Sequence, residues 1–369
     1  MKLLFSARAI NNMAGGVERM ITALMNAMVE RGHDVQLLTF DNSNSKSFYE
    51  ISDKIKWHML NLGDASQKAS NITRLKRVTK TRDIIKKFGP DVIIGFQDGP
   101  FMALRASSLG LGIPVIAAER NAPTRFDHTS SSAKKKLITF NAFRFAKVVT
   151  VQFDEYRDLY PSYLNNKIRH IPNPVREVTD VAQPGKPNEE GRYKLLSVGR
   201  LSYQKNYSAL IKAFSKIAHK FPDWDLVIFG DGEDKEELTD FINKNELGKR
   251  ILLPGKTKTP SLAYCSSNLF CMPSRWEGFP NAVAESLSHG LPVVGFKGCA
   301  GVSHLIDHGE YGHLAEGNGN PDTLSIELEK LMSDATLRTN MGKSGYEAMK
   351  QFRPEKVMDQ WEQLFLSLR

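Results

Sequence analysis

The amino-acid sequence predicts an α/β protein of two doubly wound domains, each a parallel sheet covered by helices on both faces, facing each other across a cleft. Its 369 residues are too many for one ordinary core and suit two domains. Short apolar runs alternate with helical patterns in both halves, the signature of parallel strands buried between helical layers. Between the halves lies Ile171-Pro172-Asn173-Pro174-Val175, then a polar stretch through Pro184, Gly185, Pro187 and Gly191. These residues resist both helix and central strand, as a linker does.

The first half opens with a strand over Leu3 to Ser6, a helix over Val17 to Arg31 and a strand over Val35 to Phe40. Further strands are expected at Val92 to Gly95, Val115 to Ala118 and Val148 to Val151, with helical segments between them. The second half repeats this grammar: strand Lys194 to Val198, helix Tyr207 to Lys220, strand Leu226 to Phe229. Ile251 to Leu253, Leu269 to Met272 and Val293 to Phe296 follow as strands. Near the C-terminus, Val357, Trp361, Leu364, Phe365 and Leu368 recur at helical spacing, so the tail is expected to pack back on the N-terminal half. The domains are therefore read as 1–173 with the returning helix 354–369, and 174–353, hinged near Pro174.

Net charge is +9, from 50 basic and 41 acidic residues. It is unevenly placed: 26 basic against 15 acidic residues in 1–173 give +11, whereas 24 against 26 in 174–369 give −2. The densest basic stretch comprises Lys68, Arg74, Lys76, Arg77, Lys80, Arg82, Lys86 and Lys87, with Asp83 as its one acid. Ile72, Leu75, Val78, Ile85 and Phe88 fall near helical spacing within it. Three readings fit: a solvated helix packing its apolar stripe on the core, a face for anionic lipid at about 1 kcal/mol per basic residue, or a nucleic-acid surface. Cys265, Cys271 and Cys299 show no CxxC spacing and leave one thiol over in any pairing scheme, which points to a reducing, cytoplasmic compartment. The start, Met1 to Arg8, has only three consecutive apolar residues and reads as a strand rather than a secretory leader. No stretch approaches the roughly 18 to 20 apolar residues of a membrane-spanning helix.

Two constellations carry chemistry. In Val198-Gly199-Arg200-Leu201-Ser202-Tyr203-Gln204-Lys205-Asn206 an apolar strand runs into a glycine and then two cations before a helix. Arg200 offers a guanidinium fork and Lys205 a point charge, a pair suited to a diphosphate; a strand-end arginine with a surface lysine is the plainer alternative. In Ser274-Arg275-Trp276-Glu277-Gly278-Phe279-Pro280-Asn281-Ala282-Val283-Ala284-Glu285 two carboxylates flank a Gly-Phe-Pro turn that opens a helix. Glu277 then lies in the loop and Glu285 inside the helix, where its carboxylate can accept from both hydroxyls of a ribose. Backbone amides of Gly278, Phe279 and Asn281, around Pro280, face a phosphate or sugar oxygen. An acidic first helical turn favoured by the dipole is the structural alternative.

With Gly15-Gly16-Val17-Glu18-Arg19, Ile171-Pro172-Asn173 and Gly230-Asp231-Gly232, these motifs make the chain resemble retaining glycosyltransferase family four over most of its length. The resemblance implies two Rossmann-like domains in the GT-B fold and places the nucleotide-sugar donor on the C-terminal domain and the acceptor on the N-terminal one. It implies that Arg200 and Lys205 bind the donor diphosphate, that Glu277 contacts the transferred sugar and that Glu285 contacts the ribose. Gly15 and Gly16 would form a loop whose backbone approaches the donor, which glycine permits by lacking Cβ. The chain departs from many relatives after the strand Val115 to Ala118: Glu119-Arg120-Asn121 carries an arginine where they have a histidine. Arginine cannot act as a base, so Arg120 is left to bind a phosphate or hydroxyl, Glu119 to substitute for it, or the two to form a structural salt bridge.

The implied reaction retains configuration: the diphosphate leaves toward Arg200 and Lys205, one of its oxygens takes the acceptor proton, and domain closure excludes water. The expected donor is a UDP-sugar, specifically an N-acetylhexosamine such as UDP-GalNAc. The expected acceptor is a polyprenyl-diphosphate-linked saccharide in bacterial surface polysaccharide assembly (O-antigen, capsule or glycan). The protein is then peripheral on the anionic cytoplasmic face of the inner membrane, with no nucleic-acid partner, no cofactor and no essential metal. A soluble acceptor, a non-catalytic nucleotide-sugar or nucleic-acid binding module, and an epimerase or phosphorylase on the same fold are the competing readings. His304 and His308 share a helical face but lack the glutamate of HExxH, and Asp223-Trp224-Asp225 reads as a strand start. Neither GxGxxG nor a P-loop occurs.

Overall fold

The structure, a computed structural model, describes residues 1–65, 67, 69–128 and 132–369. Lys68 of the basic stretch lies outside the described residues. The chain forms two compact units, Met1–Pro174 with Pro354–Arg369, and Val175–Arg353.

In the first unit the chain runs β1 (Lys2–Ser6), α1 (Gly16–Glu30), β2 (Asp34–Thr39), β3 (Lys56–Met59), α2 (Asn71–Phe88), β4 (Val92–Phe96), α3 (Asp98–Ser107), β5 (Val115–Ala118), α4 (Ser132–Phe143), β6 (Val148–Val151) and β7 (Ile168–His170). Its strands form one parallel sheet in the order β3-β2-β1-β4-β5-β6-β7. The central strands β4, β5 and β6 are buried at every residue, which is why they are apolar almost throughout, Thr150 of β6 being the one polar residue. The edge strands β3 and β7 are not anticipated in the sequence, because short, half-exposed edges carry almost no apolar signal. Gly95 sits in β4 because a Cβ there would come within 2.5 Å of the Phe101 Cα, so α3 rests directly on the strand.

The second unit runs β8 (Tyr193–Val198), α5 (Tyr207–Ile217), β9 (Trp224–Phe229), α6 (Lys235–Lys244), β10 (Ile251–Gly255), α7 (Pro260–Cys265), β11 (Leu269–Met272), α8 (Asn281–Ser288), β12 (Val293–Phe296), α9 (Ala300–Leu305), β13 (Gly312–Ala315), α10 (Pro321–Ser333) and α11 (Ala335–Met349). Its parallel sheet has the order β10-β9-β8-β11-β12-β13, with β13 a further unanticipated edge. In each sheet the strand order reverses once, between β1 and β4 and between β8 and β11, the places where open parallel sheets bind ligands. The polar linker is held rather than loose: buried Arg338 of α11 lies against the stacked Tyr193 and Trp224 rings and donates through Nε to Pro184 O at 2.8 Å. α9 ends at Leu305, so His304 and His308 do not share one helix.

The last helix, α12 (Pro354–Leu366), belongs to the first unit, as the tail's periodicity predicts. Val357, Met358, Trp361 and Phe365 are buried with α1 and the central strands, Phe365 meeting Phe5 edge-on at 6.1 Å. Arg31 reaches Asp359 and Glu362 at 2.6 Å each, and His33 with Arg31 holds the Glu362 carboxyl below the usual range.

α2 differs from its sequence reading. Ile72 and Leu75 are exposed, while Arg77, Thr81, Ile85 and Phe88 turn inward. Polar demand overrides the apolar stripe here: Arg77 lies over the Phe40 ring and donates twice to Leu62 O, at 3.0 and 2.7 Å, and Lys80 donates to Leu60 O. No helix among the described residues is long and apolar enough to cross a membrane.

Candidate functional site

The motif residues of the second unit meet at the carboxyl ends of β8 and β11, where its strand order reverses. The loop after β8 leaves through Gly199, where a Cβ would lie 2.6 Å from Tyr207 Oη and 3.3 Å from Lys205 Cε; glycine lets the lysine stem lie across the strand end. Asn206 closes the loop in the left-handed region at φ 55°, a conformation asparagine tolerates, and α5 starts from it. The turn after β9 packs against the same loop. A Cβ on Gly230 would fall 1.8 Å from Gly199 O, and one on Gly232 would fall 2.2 Å from Leu201 O. The Gly230-Asp231-Gly232 motif is thus explained by backbone approach.

The loop after β11 is zipped to the loop after β8. Arg275 N donates to Gln204 O at 2.8 Å, Gln204 Nε2 to Trp276 O at 2.9 Å, and Arg275 Nη2 to Asn206 Oδ1 at 2.9 Å. These bonds bring Lys205 Nζ to 2.6 Å from Glu277 Oε1, which also accepts from Ser274 Oγ at 2.6 Å. Glu277 is 6% exposed. In that setting the lysine charge and the two donors compensate the carboxylate for lost water. Arg200, by contrast, is exposed and makes no hydrogen bond or ion pair among the described residues. Glu285 lies within α8, and its Oε2 accepts from Tyr264 Oη at 2.9 Å. His289 steadies that end of α8, with Nδ1 at 2.6 Å from Glu285 O and Nε2 at 2.8 Å from Ser261 Oγ. In the intervening turn Phe279 is buried edge-on to Phe352, and the Asn281 amide donates to Phe279 O at 2.9 Å. That amide is therefore engaged within the turn rather than aimed at a ligand.

The other motif residues lie in the first unit. Gly15 is the N-cap of α1 and Gly16 its first residue. A Cβ on Gly15 would fall 2.1 Å from Glu18 Oε2, so the glycine lets that carboxylate fold back over the helix start. The Glu119 and Arg120 side chains are buried and take different partners, so of the readings the sequence left open the salt bridge between them does not form. Glu119 pairs with Arg125 at 2.8 Å and accepts from the Asn121 amide at 3.0 Å; burial nonetheless pushes its carboxyl up. Arg120 donates through Nη1 to Ile171 O at 3.0 Å and through Nη2 to Thr150 Oγ1 at 2.8 Å, and lies 5.4 Å from the Trp361 ring. Burial pulls its guanidinium down to about 10.

A model of Glycosyltransferase Family 4 matches residues 14–177, and one of Glycosyl transferases group 1 matches residues 180–348. The chain is a family-4-type glycosyltransferase. It is 29% identical over 95% of its length to an uncharacterized glycosyltransferase of Haemophilus influenzae, 96% of which is covered. It is 23% identical, over 100% of its length and 99% of the relative's, to a Campylobacter jejuni α-1,4-N-acetyl-D-galactosaminyltransferase named for a GalNAc-containing PP-undecaprenol acceptor. Among solved structures, a sucrose-phosphate synthase of Thermosynechococcus elongatus superposes with a TM-score of 0.84 at 18% identity, covering 100% of this chain and 98% of that one. The Anabaena HepE protein in complex with UDP-glucose gives 0.78 at 18% identity, with 100% of each chain covered. The fold of this glycosyltransferase is GT-B.

Tyr264 and Arg125 of the glycosyltransferase lie outside the motifs picked out in the sequence, and Ser274 and Asn206 stand within them without an assigned role. Only Asn206 left a local signal, an αL-tolerant residue directly before a helix. Ser274 acts on Glu277 three residues along the same loop, while Tyr264 reaches Glu285 on another helix. Among the described residues no group of three or more His, Cys, Asp or Glu side chains is placed to hold a metal ion. Because Gly232 meets backbone rather than a flexible side chain, Gly232→Ala should displace Leu201 and its neighbour Arg200. The expected cost is about 1–3 kcal/mol of stability. Thermal unfolding and UDP titration calorimetry should show a lowered melting temperature together with weaker nucleotide binding.

Proposed function

We propose that this glycosyltransferase is a retaining hexosyltransferase that moves an N-acetylhexosamine, such as GalNAc, from a UDP-sugar to a polyprenyl-diphosphate-linked saccharide in bacterial surface polysaccharide assembly. The carrying observation is the cluster at the β8 and β11 strand ends: exposed Arg200, Lys205 held at 2.6 Å by buried Glu277, and Glu285 positioned on α8 by Tyr264. Arg200 and Lys205 supply two positive charges for the donor diphosphate, and Glu285 a carboxylate for the ribose hydroxyls. The bond from the sugar's anomeric carbon to the diphosphate breaks as a bond to the acceptor oxygen forms on the same face, and the acceptor proton passes to a diphosphate oxygen. Lys205 and Arg200 stabilise the negative charge that develops on the leaving group, and Glu277 fixes Lys205 while facing the sugar. No metal enters this scheme.

Glu119 and Arg120 serve, in this reading, to position the first unit's loops rather than to exchange protons. Acceptor binding falls to the basic first unit, and the enzyme works at the cytoplasmic face of the inner membrane. The Campylobacter relative's name supports the acceptor class, and the UDP-glucose complex of HepE supports the donor class. A panel of UDP- and GDP-sugars, offered a polyprenyl-diphosphate saccharide and the same saccharide without lipid, tests the proposal. An α-linked product by NMR, made from UDP-GalNAc on the lipid-linked acceptor, is expected. Turnover with GDP-sugars alone, a β-linked product, or transfer confined to the soluble saccharide would overturn it.

A further inference from the structure

One face of the first unit is left uncovered in an unusual way. Right-handed crossovers put α1 on one side of the sheet and α2, α3 and α4 on the other. On the second side, Arg82 of α2 donates to Ser107 O and Leu109 O, and Phe101 of α3 meets Phe143 of α4 at 5.6 Å, so the three helices form one layer. α4 buries Thr139, Phe140 and Phe143, with the Phe140 ring against Phe126 and Tyr160. Its opposite side presents Leu137 at 64% and Ile138 at 50% exposure, and Phe145, just beyond the helix, is 65% exposed.

Phe145 is not a frayed end. Arg105 Nε donates to Phe145 O at 3.1 Å, and Lys167 Nζ donates to Arg144 O at 2.5 Å and to Ala146 O at 2.8 Å. The Phe145 amide is taken by Ala142 O at 3.0 Å. With its backbone satisfied on both sides, the turn holds an apolar ring outward in a fixed position. That arrangement does nothing for the fold's own core. On α4 itself Lys134 and Lys135 are exposed beside Leu137 and Ile138 in the chain, and exposed Arg144 and Lys147 flank Phe145 in the turn. α4 has no acid of its own, and nearby Asp127 pairs with Lys136 at 3.2 Å.

We propose that the α4 side of this layer, with Phe145 as its anchor, inserts into the interfacial region of an anionic lipid bilayer. Apolar side chains ringed by lysine and arginine on a helix lying along a surface fit the boundary between acyl chains and acidic head groups. A second copy of this chain fits less well, since pairing through a two-fold would bring one basic face against another. The inference deepens the proposed function, resting on the lipid-linked acceptor for its purpose but not for its geometry. It also moves the docking surface from the basic stretch of α2, where Arg77 and Lys80 are committed to loop carbonyls, to α4.

The test is flotation of the full chain with vesicles of phosphatidylglycerol and phosphatidylethanolamine, and with vesicles of phosphatidylcholine alone, at low and physiological salt. The wild type is expected to float with the anionic vesicles and not with the neutral ones. The variant Leu137→Ser/Ile138→Ser/Phe145→Ser should lose at least tenfold in vesicle affinity while keeping its melting temperature and its UDP affinity. A second variant, Lys134→Glu/Lys135→Glu, should lose binding without touching an apolar contact. Wild-type flotation equal on neutral vesicles, or undiminished flotation of the triple variant, would overturn the proposal. So would a dimer in light scattering that the triple variant dissolves. Vesicle binding without transfer to a polyprenyl-linked saccharide would instead break the acceptor reading and leave the docking surface standing.

Discussion

Glu277→Gln is expected to reduce sugar transfer by about 10²- to 10³-fold, the usual loss on removing a preorganised electrostatic group, while leaving UDP affinity unchanged or improved. The split follows from the geometry. Glu277 Oε1 stands 2.6 Å from Lys205 Nζ and 2.6 Å from Ser274 Oγ, so the wild-type carboxylate both aims the lysine and offsets its charge. A neutral amide keeps the shape, frees the positive charge that the proposed mechanism uses for the nucleotide, and removes the negative charge proposed to face the sugar. Initial rates with a UDP-sugar and calorimetric titration of UDP measure the two sides separately. Wild-type turnover in the variant would remove Glu277 from the mechanism. Equal loss of binding and turnover would make it a residue that only maintains the loop.

Arg120→Met should act differently, costing about 2–4 kcal/mol of stability and leaving UDP affinity intact. Arg120 donates to Ile171 O and Thr150 Oγ1, each buried, and methionine leaves both acceptors without that donor. Leaving a buried partner unsatisfied costs about 1–3 kcal/mol each. Removing a buried cation recovers part of its desolvation cost, which keeps the net loss below the sum. Urea unfolding followed by circular dichroism measures the cost. Arg120→Lys should recover little, since an ammonium cannot span both acceptors as the guanidinium fork does. A stable Arg120→Met protein with impaired transfer would reverse the assignment and return Arg120 to the chemistry.

The two variants separate what was legible from what was not. The repeated strand-and-helix grammar was readable because strands buried on both faces must be apolar throughout, and those strands carry both sheets. β3, β7 and β13 were not readable, because a half-exposed edge of three or four residues imposes no such pattern. α2 misled for a related reason: its apolar spacing matched a buried stripe, but the carbonyls of Leu60 and Leu62 needed donors, and the basic side chains were taken instead.

The chemistry of the site divides along the same line. By itself the sequence determined which residue types stand at the strand ends, since a glycine, two cations and a carboxylate, turn, carboxylate pattern are local features that survive without coordinates. Tertiary structure alone decided their partners. Lys205 and Glu277 are 72 residues apart and meet because β8 and β11 are neighbours in the sheet, an adjacency that chain order does not encode. Glu119 pairs with Arg125 and not with Arg120 beside it, because successive side chains leaving a strand point to opposite sides. Charge and apolar content could be counted along the chain, but which of those groups face inward, which bind a carbonyl and which stand exposed on α4 was settled by packing.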